Sequence, residues 1–174
     1  SQAEPRIIGG EQVGGGEHPW LVALAANRAS YDPYQQQFCG GSLIDPQWVL
    51  TAAHCVVQNR IITEPQAIYV YYGSPTLDKQ SGQRVEVSHV LPHEHYNAWT
   101  NQHDIALLRL KEPITNISTI NLPSSSQAQH LESEGSTAVV AGWGDTDINP
   151  DEVEWPQHAM EAQVPLVSHT TCNA

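Results

Sequence analysis

A histidine beside a cysteine, at the end of an apolar run, is the residue of this sequence best suited to moving a proton. His54 lies in the segment Thr51-Ala52-Ala53-His54-Cys55. An imidazole has an unperturbed pKa of about 6.5, so it can accept a proton from a weak nucleophile near neutral pH and later return it. A lone histidine beside a cysteine is more often structural, so a catalytic role for His54 depends on its neighbours.

Short apolar runs separated by turn residues predict the elements that would carry such a site. Glycine and proline, 12 of each, are spread through the sequence, which favours many strands joined by turns over long helices. About five or six strands at the spacing of a small β-barrel are predicted. They lie within Trp20–Ala25, Gly41–Ala53, Ala67–Tyr72, Arg84–Leu91 and Ile105–Leu110. The sequence therefore predicts an all-β fold.

A polar segment divides the chain into two units. Residues 122–135 are rich in serine and poor in β-branched residues, which is typical of a connection between units. After it, Thr137–Trp143 and Met160–Val167 are predicted strands. Two strands cannot close a barrel, so the second unit is expected to be only partly contained in this sequence.

The composition argues against two classes of partner. The formal net charge is -12 and only 7 residues are Lys or Arg, whereas a protein that neutralises phosphates needs clustered cations. No apolar run approaches the roughly 20 residues that a membrane-spanning helix needs. We therefore expect a soluble protein that binds neither nucleic acid nor membrane.

The segment around His54 and several others resemble the chymotrypsin/trypsin family of serine proteases. The other matching segments are Arg6-Ile7-Ile8-Gly9-Gly10, Cys39-Gly40-Gly41-Ser42-Leu43-Ile44, His103-Asp104-Ile105-Ala106-Leu107-Leu108 and Ala141-Gly142-Trp143-Gly144. They follow the family's order from Arg6 to the end of the chain. The resemblance implies a trypsin-like double six-stranded antiparallel β-barrel, divided into a propeptide (1–6), a first barrel (7–121), an inter-barrel connection (122–135) and the start of a second barrel (136–174).

The resemblance also implies an activity, which is peptide-bond hydrolysis through an acyl-enzyme. In that chemistry His54 is the general base, and Asp104 holds its ring and stabilises the imidazolium without taking the proton itself. An aspartate before an apolar strand is otherwise commonly a turn or cap residue. Two alternatives are a non-catalytic homologue that keeps the barrel as a binding module, and a purely structural or interaction fragment.

The nucleophile is the residue of this mechanism that the sequence does not supply. The family's serine stands in a Gly-Asp-Ser-Gly-Gly motif, and no such string occurs in residues 1–174. Ser42 follows two glycines, but it lies in the strand before His54 and is rejected as the nucleophile. We expect the serine to lie after residue 174 and the chain alone to be inactive.

The 3 cysteines are an odd number, which leaves one without a partner. The resemblance implies a disulfide between Cys39 and Cys55, and a partner for Cys172 further along the chain. A free reactive thiol is the alternative for Cys172. Disulfides indicate an oxidising compartment, so we expect a secreted protein whose signal peptide has already been removed.

The Arg6-Ile7 bond resembles the family's activation site, and an ordinary flexible terminus is the alternative. Cleavage after Arg6 would free the amine of Ile7, which would fold inward and pair with an aspartate beside the nucleophile. The expected partners are therefore peptide or protein substrates, an activating trypsin-like protease that could be the enzyme itself, and protease inhibitors.

No metal or cofactor is expected. His93 and His95 have alternating spacing, but two ligands make an incomplete metal site, so a solvated loop is predicted. The segment Tyr72–Val87 lacks the pair of glutamates with which some family members hold calcium. Asn116-Ile117-Ser118 is a formal glycosylation signal, which has meaning only in a eukaryotic secretory pathway.

Overall fold

The structure of the protein is a computed structural model that describes residues 7–131, 133–146 and 154–172, without the side chains of His169 and Cys172. The predicted propeptide with Arg6, and the side chain of Cys172, lie outside the described residues. The strands are β1 (Glu11–Gln12), β2 (Leu21–Ala26), β3 (Gln37–Asp45), β4 (Trp48–Thr51), β5 (Val57–Gln58), β6 (Ile61–Ile62), β7 (Ile68–Tyr72), β8 (Gln83–Pro92), β9 (Ala106–Leu110), β10 (Thr137–Gly142) and β11 (Met160–Pro165).

The helices in the described ranges are short. They are α1 (Pro33–Gln36), α2 (Ser125–Leu131), α3 (His169–Cys172) and the 3-10 turns Ala53–Cys55 and Pro65–Ala67. None of these helices has the length and apolar character to cross a membrane.

Six of the strands form a closed antiparallel barrel, in the order β2, β3, β4, β9, β8, β7 and back to β2. Alternate side chains point inward, as the two-residue period of a strand requires. The interior is filled by fully buried aliphatic residues, among them Val22, Leu24, Leu43, Val49, Val70, Leu108 and Leu110. Burying each such side chain stabilises the fold by about 1.5–3 kcal/mol. The predicted all-β fold with a six-stranded first barrel is confirmed.

The predicted strand Gly41–Ala53 is wrong as a single element. The chain turns at Pro46 between β3 and β4, and the Asp45 carboxylate accepts a hydrogen bond of 3.0 Å from the Gln47 backbone N–H. An aspartate followed by proline favours this turn, because proline cannot donate to a strand ladder and the carboxylate replaces a backbone acceptor.

The segment predicted as a connection, 122–135, contains helix α2. Ser124 and Gln127 begin it by exchanging hydrogen bonds: the Gln127 side chain accepts from the Ser124 N–H at 2.9 Å, and the Ser124 hydroxyl accepts from the Gln127 N–H at 3.3 Å. This reciprocal pair is a capping box, which a serine followed three residues later by glutamine signals in a sequence.

A second sheet has the strand order β1, β11, β10. Its strands β10 and β11 lie within the predicted strands Thr137–Trp143 and Met160–Val167. Strand β1 was not predicted, because Glu11 and Gln12 are two exposed polar residues without strand periodicity. The N-terminal segment thereby covers one edge of the second sheet.

A second apolar cluster joins this sheet to the outside of the barrel. Trp143 and Ala159 pack with Ala23, Tyr69 and Tyr71, which lie on the outward faces of β2 and β7. The Trp143 indole N–H also donates a 2.8 Å hydrogen bond to the Pro75 carbonyl. The two units are therefore held together by a buried contact as well as by the chain.

Packing at Gly41 gives a test of the barrel. A Cβ added there would lie 2.8 Å from a Val49 methyl and 3.0 Å from the Leu50 carbonyl oxygen, whereas one at Gly40 would meet only the Val22 oxygen at 3.8 Å. Gly41→Ala should lower the free energy of unfolding by about 1–3 kcal/mol through overpacking. Gly40→Ala should change it by no more than about 0.5 kcal/mol. Equal denaturation midpoints for the two variants would contradict this packing.

Candidate active site

The pairing of β4 with β9 brings His54 and Asp104 together. Thr51, the last residue of β4, is paired with Ala106, the first residue of β9. His54 follows Thr51 by three residues in a 3-10 turn, and Asp104 precedes Ala106 by two. Because antiparallel strands place the end of one beside the start of the next, both side chains emerge at the same edge of the barrel.

Asp104 holds His54 at two points. One carboxylate oxygen accepts a 2.8 Å hydrogen bond from the His54 backbone N–H, and the other lies 2.7 Å from the ring Nδ1. The two side chains are 34% and 23% exposed, so the pair is neither fully buried nor fully solvated. Two contacts to one carboxylate fix both the position of the 3-10 turn and the orientation of the ring.

This contact determines the tautomer of His54. An ionised carboxylate can only accept hydrogen bonds, so Nδ1 must carry the proton that it donates to Asp104. In the neutral ring Nε2 is then the unprotonated nitrogen, which is the atom able to act as a base. Asp104 can also stabilise the positive charge that forms when Nε2 takes up a proton.

A disulfide lies beside the ring. Cys55 is bonded to Cys39 of β3, across a sequence separation of 16 residues. The Cys55 sulfur is 3.7 Å from the His54 Nε2, but a disulfide sulfur has no proton to donate, so it does not occupy the lone pair of that nitrogen. Cys39, His54 and Cys55 lie close enough to suggest a metal centre, but bonded sulfurs offer no thiolate ligand.

Tyr96 is a neighbour of the site that sequence reasoning missed. Its ring packs against the barrel core. Burial, and then the negative charge of Asp104, raises the pKa of its phenol. The phenol therefore stays neutral at any pH at which the candidate base operates. No spacing in the sequence marked this residue.

A groove of about 930 Å³ opens between the β5–β6 hairpin and the loop after β8. Its lining includes Ile62, Arg60 and the segment 92–99. Trp99 is 85% exposed at the tip of that loop. The exposed Trp99 and Ile62 lie on opposite sides of a groove of mixed character, since its lining also includes charged and polar side chains such as Arg60 and Glu94. The sequence did not predict this groove, since it arises between segments far apart in the chain.

Two other residues singled out from sequence, Ser42 and Ile7, lie in other elements of the fold. Ser42 is inside β3, paired with Leu21 and Leu50 in the barrel wall. Ile7 is buried, and its N–H donates a 2.8 Å hydrogen bond to the Asp145 carbonyl. Ile7 is thus anchored beside the second sheet.

A closed antiparallel barrel with a His–Asp pair at one edge, packed on a second sheet, defines the class of double-barrel serine proteases. A family model described as Trypsin matches residues 7–174. The chain belongs to this family, the chymotrypsin/trypsin-type serine proteases, as the sequence motifs predicted.

Individual relatives support the same family assignment. The chain is 38% identical over 177 residues to coagulation factor XII of Sus scrofa, a match that covers 97% of this chain and 27% of the relative. It is 36% identical over 172 residues to a tryptase of Mus musculus, covering 96% of this chain and 58% of the relative. A match to coagulation factor XII of Bos taurus is also 36% identical and covers 27% of that protein. The chain therefore spans less than two thirds of the length of each of these relatives.

The His54–Asp104 contact can be tested without any activity assay. A proton held between an imidazole nitrogen and a carboxylate is strongly deshielded, so the protein should give a low-field proton resonance from Nδ1–H. Asp104→Asn should abolish that resonance, because a neutral amide cannot accept the proton in the same way. Asp45→Asn, at the β3–β4 turn, should leave it unchanged. Persistence of the resonance in the Asp104 variant would show that Nδ1 has another partner.

Proposed function

We propose that the chain carries the general base of a serine endopeptidase, with His54 as the base and Asp104 as the residue that orients it. The observation that supports this most is the two-point contact of Asp104 with His54, since it leaves Nε2 as the basic nitrogen. A non-catalytic homologue would have no chemical need for either side chain. Peptide and protein substrates are the proposed partners, and the groove between the β5–β6 hairpin and the loop after β8 is their proposed binding place.

The proposed reaction proceeds in two halves. The serine hydroxyl attacks the peptide carbonyl while His54 Nε2 takes its proton, and the imidazolium forms opposite the Asp104 carboxylate. The tetrahedral intermediate then collapses, Nε2 gives the proton to the departing amine, and an acyl-enzyme remains. Water, deprotonated by the same nitrogen, attacks the ester and releases the acid and the serine.

The activity is proposed for a protein that also supplies the serine. Residues 1–174 contain no Gly-Asp-Ser-Gly-Gly segment. We therefore propose that these residues, assayed by themselves, do not hydrolyse peptides. The oxidising compartment that a Cys39–Cys55 disulfide needs supports an extracellular location.

We also propose that the protein is activated by cleavage between Arg6 and Ile7, by a trypsin-like protease. The contact of Ile7 with the segment after β10 supports this, because residue 7 is buried there and its N–H donates to the Asp145 carbonyl. A buried ammonium requires an acidic partner. The family supplies it as an aspartate beside the nucleophilic serine.

The enzymatic proposal is tested on the full-length protein, with its serine segment, after cleavage at Arg6. It should hydrolyse members of a peptide ester library and react with a phosphonate serine probe. His54→Ala should lower kcat by about 10⁶, and Asp104→Asn should lower it by roughly 10⁴. His89→Ala, an exposed position on β8, is the matched control and should keep the activity.

Thermal melting of each variant separates loss of catalysis from loss of fold. Hydrolysis that survives His54→Ala in a folded protein would refute the assigned role of this residue. A folded, correctly cleaved protein that binds peptides but neither hydrolyses them nor reacts with the probe would instead support the non-catalytic homologue.

Activation gives a separate prediction. Trypsin treatment of the full-length precursor should produce an N-terminus at Ile7 together with the appearance of activity, and Arg6→Gln should block both. Arg28→Gln, which changes an exposed arginine, should leave both unchanged. N-terminal sequencing and ester hydrolysis measure the two effects. Full activity of the uncleaved Arg6→Gln protein would contradict activation at this bond.

A further inference from the structure

Three imidazoles meet in the loop between β8 and β9. The ring centroids of His93 and His103 are 4.7 Å apart, those of His93 and His95 are 5.7 Å apart, and those of His95 and His103 are 6.1 Å apart. The sequence indicated only the alternating pair His93 and His95, which is one ligand short of a metal site with an open position. The fold adds the third ring.

The backbone of the loop explains why His103 joins the other two. The chain turns at Tyr96, whose N–H donates to the His93 carbonyl at 3.0 Å. It then doubles back, because the Asn97 N–H donates to the Gln102 carbonyl at 3.0 Å. His103 has φ 54°, a left-handed conformation that is uncommon for residues other than glycine. The hairpin holds His103 in this conformation and places its ring over that of His93.

The centroid separations of the rings are close to those of a metal centre, although one nitrogen from each ring does not bring all three within 4.8 Å of one another. With Zn–N distances of about 2.0–2.1 Å and tetrahedral angles, the centroids of two imidazoles on one zinc ion lie roughly 5 Å apart. The three observed separations lie around this value. The rings of His93 and His103 are nearly parallel, at 9°, so one of them must rotate before the nitrogens converge on a common point. Such rotation is open to His95 and His103, which are exposed.

In the observed loop neither nitrogen of His93 has a free lone pair, so metal binding requires a hydrogen bond or a proton to move. The His93 Nδ1 accepts a 3.1 Å hydrogen bond from the His95 backbone N–H, so that nitrogen carries no proton. A cation can replace this donor at Nδ1, or bind Nε2 while the proton moves to Nδ1. The Glu94 carboxylate lies 3.5 Å from the His95 Nε2, and a carboxylate close to metal-binding histidines orients the rings and adds negative charge.

We propose that His93, His95 and His103 form a binding site for a borderline-soft divalent cation, Zn²⁺ in the first place, with water in the fourth position. Imidazole nitrogens select Zn²⁺, Ni²⁺, Cu²⁺ and Co²⁺ over Ca²⁺ and Mg²⁺, which prefer oxygen ligands. The ring arrangement also fits a set of solvated imidazoles that stack without any ion. A metal site and an ion-free stack of imidazoles differ in their affinity for Zn²⁺.

The site lies at the edge of the candidate active site. His103 directly precedes Asp104 in the chain. His93 and His95 line the groove, whose wall on the β5 side begins at Val57, three residues after His54. A cation held here fixes the loop and occupies one side of the groove. Bound Zn²⁺ therefore reversibly lowers the peptidase activity. This consequence rests on the proposed function, whereas the metal-binding proposal is independent of it.

Binding is measured on the full-length protein, by isothermal titration with Zn²⁺ alone and by the visible absorption of tetrahedral Co²⁺. His95→Gln and His103→Asn should each weaken the affinity at least about tenfold, since even loss of an outer-shell partner costs about 10–100-fold. Asparagine is chosen at position 103 because it tolerates the left-handed conformation. His130→Ala, which removes an exposed imidazole from α2, is the matched control and should change the affinity less than about twofold.

His54→Ala separates this site from the candidate active site. The proposal expects this variant to bind Zn²⁺ and Co²⁺ as the unaltered protein does. The proposal is overturned if no metal binds, if binding is unaffected by His95→Gln and His103→Asn, or if it disappears in His54→Ala. Circular dichroism of each variant excludes unfolding as the cause of a loss.

Inhibition is the second measurement. Zn²⁺ should lower kcat/KM at concentrations near the dissociation constant found by titration, and a chelator should restore kcat/KM. His95→Gln should raise the Zn²⁺ concentration needed for half-maximal inhibition by the same factor as it raises the dissociation constant. Inhibition that is identical in unaltered and His95→Gln proteins would overturn the regulatory claim. Absence of hydrolysis before any metal is added would count against the proposed function, and the titration alone would then decide the site.

Discussion

The antiparallel pairing of β4 with β9 is the interaction on which the arrangement of the site depends. Its register places Thr51 opposite Ala106 and so sets where His54 and Asp104 leave the barrel. The register is held by buried side chains on both strands, among them Val49 and Leu108, which are paired with one another. A slip of one residue would turn these side chains out of the core. The chemistry of the His–Asp pair is therefore stabilised by the packing of the barrel interior.

Two further constraints hold the histidine within that frame. The disulfide between Cys39 and Cys55 ties the 3-10 turn to β3, and closing a loop of this size contributes on the order of 3 kcal/mol in the chain-entropy model. The Asp104 carboxylate takes the His54 backbone N–H as well as the ring nitrogen. The ring is thus positioned before any substrate is present, which reduces the reorganisation that a reaction would require.

The second sheet depends on the barrel in a different way. Trp143 and Ala159 are buried against Ala23 and Tyr71 on the outside of the barrel wall, and strand β1 crosses from the N-terminus to pair with β11. Residues near Ile7 therefore contact the second unit while the segment that follows them enters the first. The N-terminal segment is thereby linked directly to the second sheet.

The sequence by itself determined the fold class, the family and the chemical types at the site. These are properties of local patterns, since strand alternation and the segments around His54 and Asp104 can be recognised without coordinates. Even the start of α2 was encoded locally, by Ser124 and Gln127, although it was not predicted.

Only the tertiary structure decided which residues from separate segments of the chain lie next to one another. Residues 54 and 104 meet through strand register, and the groove lies between two loops that no local pattern relates. The ring of His103 joins those of His93 and His95 because a hairpin, closed by the hydrogen bond from the Asn97 N–H to the Gln102 carbonyl, holds its backbone in a left-handed conformation. Local sequence patterns report on residues that are close together in the chain. The contact between His54 and Asp104, and the groove between the two loops, form only when the barrel closes.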